Sequence, residues 1–130
     1  MEHAKILVVD DESAILRLLR EALTQWGYQV TAASSGAEAL QALRGDMFDA
    51  VISDIRMPDR NGYEVYAASR RCCPGIPVIL MTGFGYDPHH SIVRASQEGL
   101  QSVLFKPFEV ERMLDEIRKA ILAAESGRAR

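Results

Sequence analysis

The sequence predicts an α/β fold, a doubly wound five-stranded parallel sheet with (βα)5 connectivity, and three observations predict it. Strand-sized apolar runs alternate five times with segments of helical period. The runs are apolar almost throughout, as in strands covered by helices on both faces. Polar residues close four of them: Asp10 and Asp11 after Ile6-Leu7-Val8-Val9, Asp54 after Ala50-Val51-Ile52-Ser53, Thr82 after Val78-Ile79-Leu80-Met81, and Lys106 after Val103-Leu104-Phe105.

Taken in order, residues 4–9 read as a buried strand. Residues 13–26 carry Ile15, Leu18, Leu19, Ala22, Leu23 and Trp26 on one helical stripe, which predicts a helix with Trp26 in the core, and Gly27 stops it. Residues 28–33 form a short strand whose polar Gln29 and Thr31 suit a sheet edge. Ser35-Gly36-Ala37-Glu38 fits a capping box opening a helix to about Arg44. Gly45-Asp46 turns the chain into a strand at 48–53.

A third helix is expected from about Asn61 to Cys72, and Pro74, Gly75 and Pro77 break the chain before the strand at 78–81. Asp87-Pro88 fits an N-cap with proline at the first helical position, opening a helix over about 88–98 whose strong apolar residues are only Ile92 and Val93; Gly99 ends it. Residues 102–105 are the last strand. Val110, Met113, Leu114, Ile117 and Ile121 lie at helical spacing in the last helix. Residues 125–130 lack periodicity, which predicts one domain over 1–124 and then a polar tail or the start of a linker.

Composition narrows the function. A chain of 130 residues suffices for one core. A net charge of −3 without a basic run argues against direct binding to nucleic acid. The apolar stretches are strand-sized, so no membrane span is expected, and the absence of a recognisable leader points to the cytoplasm. Cys72 and Cys73 are adjacent and lack the CxxC spacing of zinc and redox motifs. They read as reduced thiols near a helix end, which agrees with a reducing compartment.

In an open parallel sheet the carboxyl ends of the strands share one edge, where ligands bind. Two carboxylates about 5 Å apart repel by roughly 3 kcal/mol at an effective dielectric of 20. Acids gathered there call for a cation, and Mg²⁺ would relieve the repulsion with help from Lys106. Singly, each residue has a plainer reading. Asp10-Asp11 could cap the first helix, Asp54 could be a solvated strand end, Thr82 a turn residue before Gly83, and Lys106 a surface lysine. Their conjunction on adjacent strand ends favours a site. His89-His90 reads as a solvated loop rather than a metal site.

These residues resemble the receiver domain of two-component response regulators. The resemblance rests on Val8-Val9-Asp10-Asp11-Glu12, on Asp54-Ile55-Arg56-Met57-Pro58-Asp59-Arg60-Asn61-Gly62, on Met81-Thr82-Gly83 and on Lys106-Pro107-Phe108, and it runs over about residues 4–122. It implies a flavodoxin-like sheet of strand order 2-1-3-4-5. It also implies that Asp54 is a phosphoacceptor, attacking the phosphohistidine of a histidine kinase or phosphotransfer domain.

Mg²⁺ would be held directly by Asp11, largely through water by Asp10, and by Asp54 and the backbone carbonyl of Arg56. Thr82 would donate its hydroxyl to the phosphoryl group. Lys106 would pair with a phosphoryl oxygen and, before phosphorylation, with Asp54; its bond to Pro107 would be cis. Phosphoryl transfer is mostly positioning and charge stabilisation, so these few groups suffice. Arg56 and Phe84 are placed to tune dephosphorylation. The expected output is a change in the surface of the 88–98 helix, last strand and last helix, read by a downstream protein or an attached output domain.

The pattern departs from the family in one place. Receivers commonly carry Tyr or Phe three residues before the lysine, where this chain has Val103. The glycine-rich loop over 83–88 is slightly long, and Phe84 or Tyr86 could substitute for the missing ring. Both departures are more like receivers attached to hybrid histidine kinases. Two other functions compete. A hydrolase of the haloacid dehalogenase kind would place its nucleophile in an Asp-x-Asp motif after the first strand, whereas Asp10 and Asp11 are adjacent. A phosphate-independent module would be expected to lack one of the five polar groups, and all five are present.

Overall fold

Five strands and four helices make up the described part of the chain: β1 (Lys5–Val9), α1 (Ser13–Gln25), β2 (Gln29–Ala33), α2 (Gly36–Gly45), β3 (Ala50–Asp54), α3 (Gly62–Cys72), β4 (Val78–Thr82), β5 (Ser102–Phe105) and α4 (Val110–Arg128). The computed structural model describes residues 4–55, 57, 62–83 and 102–128. The helix expected over 88–98 lies outside them, as do Arg56, Phe84, Tyr86 and the three histidines.

All strand pairings are parallel, in the order β2-β1-β3-β4-β5. The expected doubly wound sheet is therefore present, with β2 at its edge. The winding reverses between β1 and β3, and Asp10 and Asp54 stand at the carboxyl ends of those two neighbours.

Alternation along the strands builds two cores. Ile6, Val8, Ile52, Ile79, Met81 and Leu104 pack on one face with Leu19 and Leu23 of α1 and Met113, Ile117 and Ile121 of α4. Leu7, Val9, Val51, Val78 and Leu80 pack on the other with Ala39 and Leu43 of α2 and Val65 and Tyr66 of α3. Period-2 strands thus face period-3.6 helices on both sides, which holds the sheet rigid beneath its polar edge.

Helix ends follow local chemistry. Ser35 Oγ accepts a hydrogen bond from Glu38 N at 3.1 Å, as a capping box requires. The Glu38 carboxylate also reaches past the cap to Ser34 N, at 2.7 Å. Gly27 adopts φ 93°, a conformation that favours glycine, and the chain turns there from α1 into β2. α4 continues through Arg128, so residues 125–128 extend the helix beyond the expected 124/125 boundary.

Two stripe residues of α1 depart from expectation. Trp26 is 63% exposed, not in the core, and Leu18 is 39% exposed. Helical projection fails for Trp26 because α1 ends at Gln25. Trp26 is the C-cap, and its ring borders a surface groove with Tyr28, Leu114 and Arg118. Leu18 sits on the rim of the stripe centred on buried Leu19, Ala22 and Leu23.

Candidate functional site

Parallel pairing carries the strand ends to one edge. Asp54 is the last residue of β3 and lies opposite Met81; Thr82 is the last residue of β4 and lies opposite Phe105. The Thr82 carbonyl accepts the Lys106 N–H at 2.7 Å, and the Met81 carbonyl accepts the Ile55 N–H at 3.0 Å. These bonds extend the ladder by one residue and fix the backbones of Lys106 and Ile55 where they leave the sheet. The Lys106–Pro107 peptide bond is cis, as the resemblance implied.

Lys106 organises the edge. Its Nζ lies 2.8 Å from Asp10 Oδ2, 3.3 Å from Glu12 Oε1 and 3.4 Å from Asp54 Oδ2. The expected pairing with Asp54 is present, but the shorter contact is to Asp10. The Asp10 side chain is fully buried, and its other oxygen accepts the Glu12 N–H at 2.9 Å. Burial by itself would lower the lysine pKa. The hydrogen bond to Asp10, the charges of Asp54 and Asp10, and the hydrogen bond to Glu12 outweigh it and raise the pKa above its usual 10.5.

Carboxylate oxygens of Asp10, Glu12 and Asp54 lie within 4.8 Å of one another. Three carboxylates converge on the Lys106 ammonium. An all-oxygen, carboxylate-rich donor set fits a hard divalent cation such as Mg²⁺. Asp11 is exposed and outside the cluster, while Glu12 is inside it. Glu12 belongs to the Val8–Glu12 motif, but the resemblance gives it no role. The signal was its separation from Asp10 by a single residue, legible only once the chain turn after β1 was known.

The acids do not cap α1 through their side chains. Its N-cap is Glu12, without a side-chain cap hydrogen bond. Thr82 is 4% exposed, and among the described residues its hydroxyl has no hydrogen-bond partner. Gly83 leaves ordinary van der Waals space beside Lys106. Sequence reasoning also missed Gly62. A Cβ there would run into the Asp54 carbonyl oxygen and lie 2.8 Å from the Ile55 Cα, and the Gly62 N–H donates to Ile55 O at 2.6 Å. The start of α3 is thus pressed against the backbone that carries Asp54.

The comparisons with known proteins agree with this geometry. A family model described as response regulator receiver domain matches residues 6–118. The chain is 40% identical over 123 residues to the transcriptional regulatory protein GlrR of Escherichia coli (strain K12), covering 93% of this chain and 27% of that protein. It therefore spans about a quarter of that curated relative. Among solved structures, it is similar to a CheY-like response regulator receiver domain protein from Methanospirillum hungatei JF-1, with TM-score 0.89 and 28% identity over 96% of this chain and 98% of the other. A response regulator receiver domain protein from Clostridium thermocellum has TM-score 0.85 and 33% identity, covering 94% and 97% of the two chains.

Proposed function

The chain belongs to the response regulator receiver domain family, and on that premise we propose that Asp54 is the phosphoacceptor of a two-component signalling switch. The observation that carries this reading is the Asp54 carboxylate. It lies at the end of β3, largely shielded from solvent, with Lys106 at 3.4 Å and oxygens of Asp10 and Glu12 within 4.8 Å.

An Asp54 oxygen attacks the phosphorus of a histidine kinase's or phosphotransfer domain's phosphohistidine. The new O–P bond forms as the P–N bond breaks, and the released imidazole takes up a proton. Lys106 shifts its charge from the carboxylates to a phosphoryl oxygen, and Thr82 donates its hydroxyl to another. Bound Mg²⁺ supplies charge neutralisation for the incoming phosphoryl group. Asp10, Glu12 and Asp54 would hold it. The family pattern adds Asp11, which would have to turn inward, and the Arg56 carbonyl. Slow hydrolysis of the aspartyl phosphate resets the switch.

Charge added beside Thr82 and Lys106 biases the surface of β5 and α4. A downstream protein or an attached output domain reads that change. The name of the curated relative favours transcriptional output over the hybrid-kinase setting suggested by Val103. The switch acts in the cytoplasm, in keeping with a chain in which no described helix is long and apolar enough to cross a membrane.

The test is the intact mass of the purified chain after incubation with acetyl phosphate or phosphoramidate and Mg²⁺, beside Asp54→Asn. A Mg²⁺-dependent phosphoryl adduct confined to the parent is expected. An equal adduct on Asp54→Asn, or none on the parent with either donor, overturns the assignment.

A further inference from the structure

The opposite end of the sheet holds a cleft lined by three sulfur-bearing residues. α3 ends at Cys72, and Cys73 N still donates to Ser69 O at 2.9 Å, so both cysteines belong to the last helical turn. Their Sγ atoms are only 3.5 Å apart. Cys72 is exposed and Cys73 half-buried. Both line a cleft of about 550 Å³ together with Met47, whose side chain projects from the loop between α2 and β3 and is 68% exposed. Phe48 and Ile76 make the cleft's apolar wall.

A disulfide does not suit this pair. Adjacent Cα atoms are about 3.8 Å apart, short of the roughly 4.4–6.8 Å that unstrained disulfides span. A bridging ion suits it better. With metal–thiolate bonds of about 2.3 Å, sulfurs 3.5 Å apart subtend about 100° at one ion. The Cys72 thiol now donates to the Leu43 carbonyl at 3.1 Å, a contact that binding would replace as the sulfur turns to the ion.

The donor set selects the ion. Thiolates and a thioether are soft ligands, and together they favour monovalent copper. Zinc in a closed site takes four ligands. Asp49, the hard donor lining the cleft among the described residues, already accepts the Lys5 N–H at 2.8 Å. We propose that Cys72, Cys73 and Met47 form a binding site for monovalent copper. Binding exchanges the two thiol protons for one Cu⁺, with both protons passing to solvent and no change of oxidation state. The cleft lies far along the fold from Asp54, at the strand starts rather than their carboxyl ends, so occupancy is independent of the phosphoacceptor reading.

The test is anaerobic competition of the fully reduced chain against the coloured Cu(I)–bicinchoninate complex. The parent should withdraw one Cu(I) per chain. Replacing both thiols, Cys72→Ser with Cys73→Ser, should weaken binding by at least about a hundredfold, since a chelating pair is lost. Met47→Leu, on an exposed side chain that cannot compromise folding, should weaken it about tenfold while circular dichroism stays unchanged. Equal withdrawal by the double serine variant, no withdrawal by the parent, or an unchanged affinity in Met47→Leu overturns the three-sulfur site. Displacement of the bound Cu(I) by equimolar Zn(II) overturns the choice of copper.

Discussion

Lys106 bridges Asp10 and Asp54 but sits closer to Asp10, with Nζ 2.8 Å from Asp10 Oδ2 and 3.4 Å from Asp54 Oδ2. The lysine is thus held by the fully buried acid and reaches toward the proposed acceptor. On the proposed reading, phosphorylation would need only a small redistribution of an existing contact, and the position of Asp10 sets where the ammonium is held.

Removing that ammonium should destabilise the fold and sharpen the need for a cation. Lys106→Met leaves Asp10 buried without its partner, a change that costs about 3 kcal/mol. Urea denaturation should show that loss without Mg²⁺. Added Mg²⁺ should restore more stability to the variant than to the parent, because loss of the ammonium makes the acidic cluster more negative and strengthens metal binding. Equal Mg²⁺ stabilisation of both proteins would contradict this electrostatic account.

The alkaline limb carries a second consequence. The Lys106 pKa is raised on folding, through Asp10, Asp54 and Glu12 against the opposing effect of burial. A raised folded-state pKa stabilises fully below the unfolded value and is lost as pH rises through the folded value. The stability difference between parent and Lys106→Met should therefore be constant around neutrality. It should shrink as pH rises past 10.5 and through the higher folded-state pKa. Denaturant midpoints of the two proteins across that range check it.

Gly62 and Gly45 should respond oppositely to alanine. At Gly62 the added methyl meets the backbone of Asp54 and Ile55. Gly62→Ala should cost about 1–3 kcal/mol and lower the yield of the phosphoryl adduct, since it displaces the backbone of the proposed acceptor. At Gly45, the last residue of α2, a Cβ meets nothing within 4 Å. Gly45→Ala should be neutral or stabilising by up to about 1 kcal/mol, with adduct formation unchanged. Thermal denaturation and intact mass distinguish the two.

The single tryptophan reports on the end of α1. Trp26 is 63% exposed, so Trp26→Ala should cost under about 1 kcal/mol, whereas truncating a core tryptophan costs about 3–5 kcal/mol. Its fluorescence should be quenched by acrylamide almost as readily in the folded protein as in urea. Strong protection in the folded state would return Trp26 to the core.

The sequence by itself determined the α/β class, the five strands and the starts of the four described helices within a residue or two, because apolar period and turn chemistry are local signals. The capping box at Ser35 and the turn at Gly27 were legible for the same reason. So were Asp10, Asp54, Thr82 and Lys106, because in a parallel sheet any residue closing a strand is delivered to the same edge. Tertiary structure decided the rest. Glu12 rather than Asp11 joins the cluster in the turn after β1, where the Asp10 carboxylate accepts the Glu12 N–H. Trp26 is outside because α1 ends one residue before it, which no helical projection can register. Gly62 is pressed against Asp54, and Cys72 and Cys73 share a cleft with Met47, because separate elements converge. Such approaches depend on packing between segments distant in sequence, and they leave no period along the chain to read.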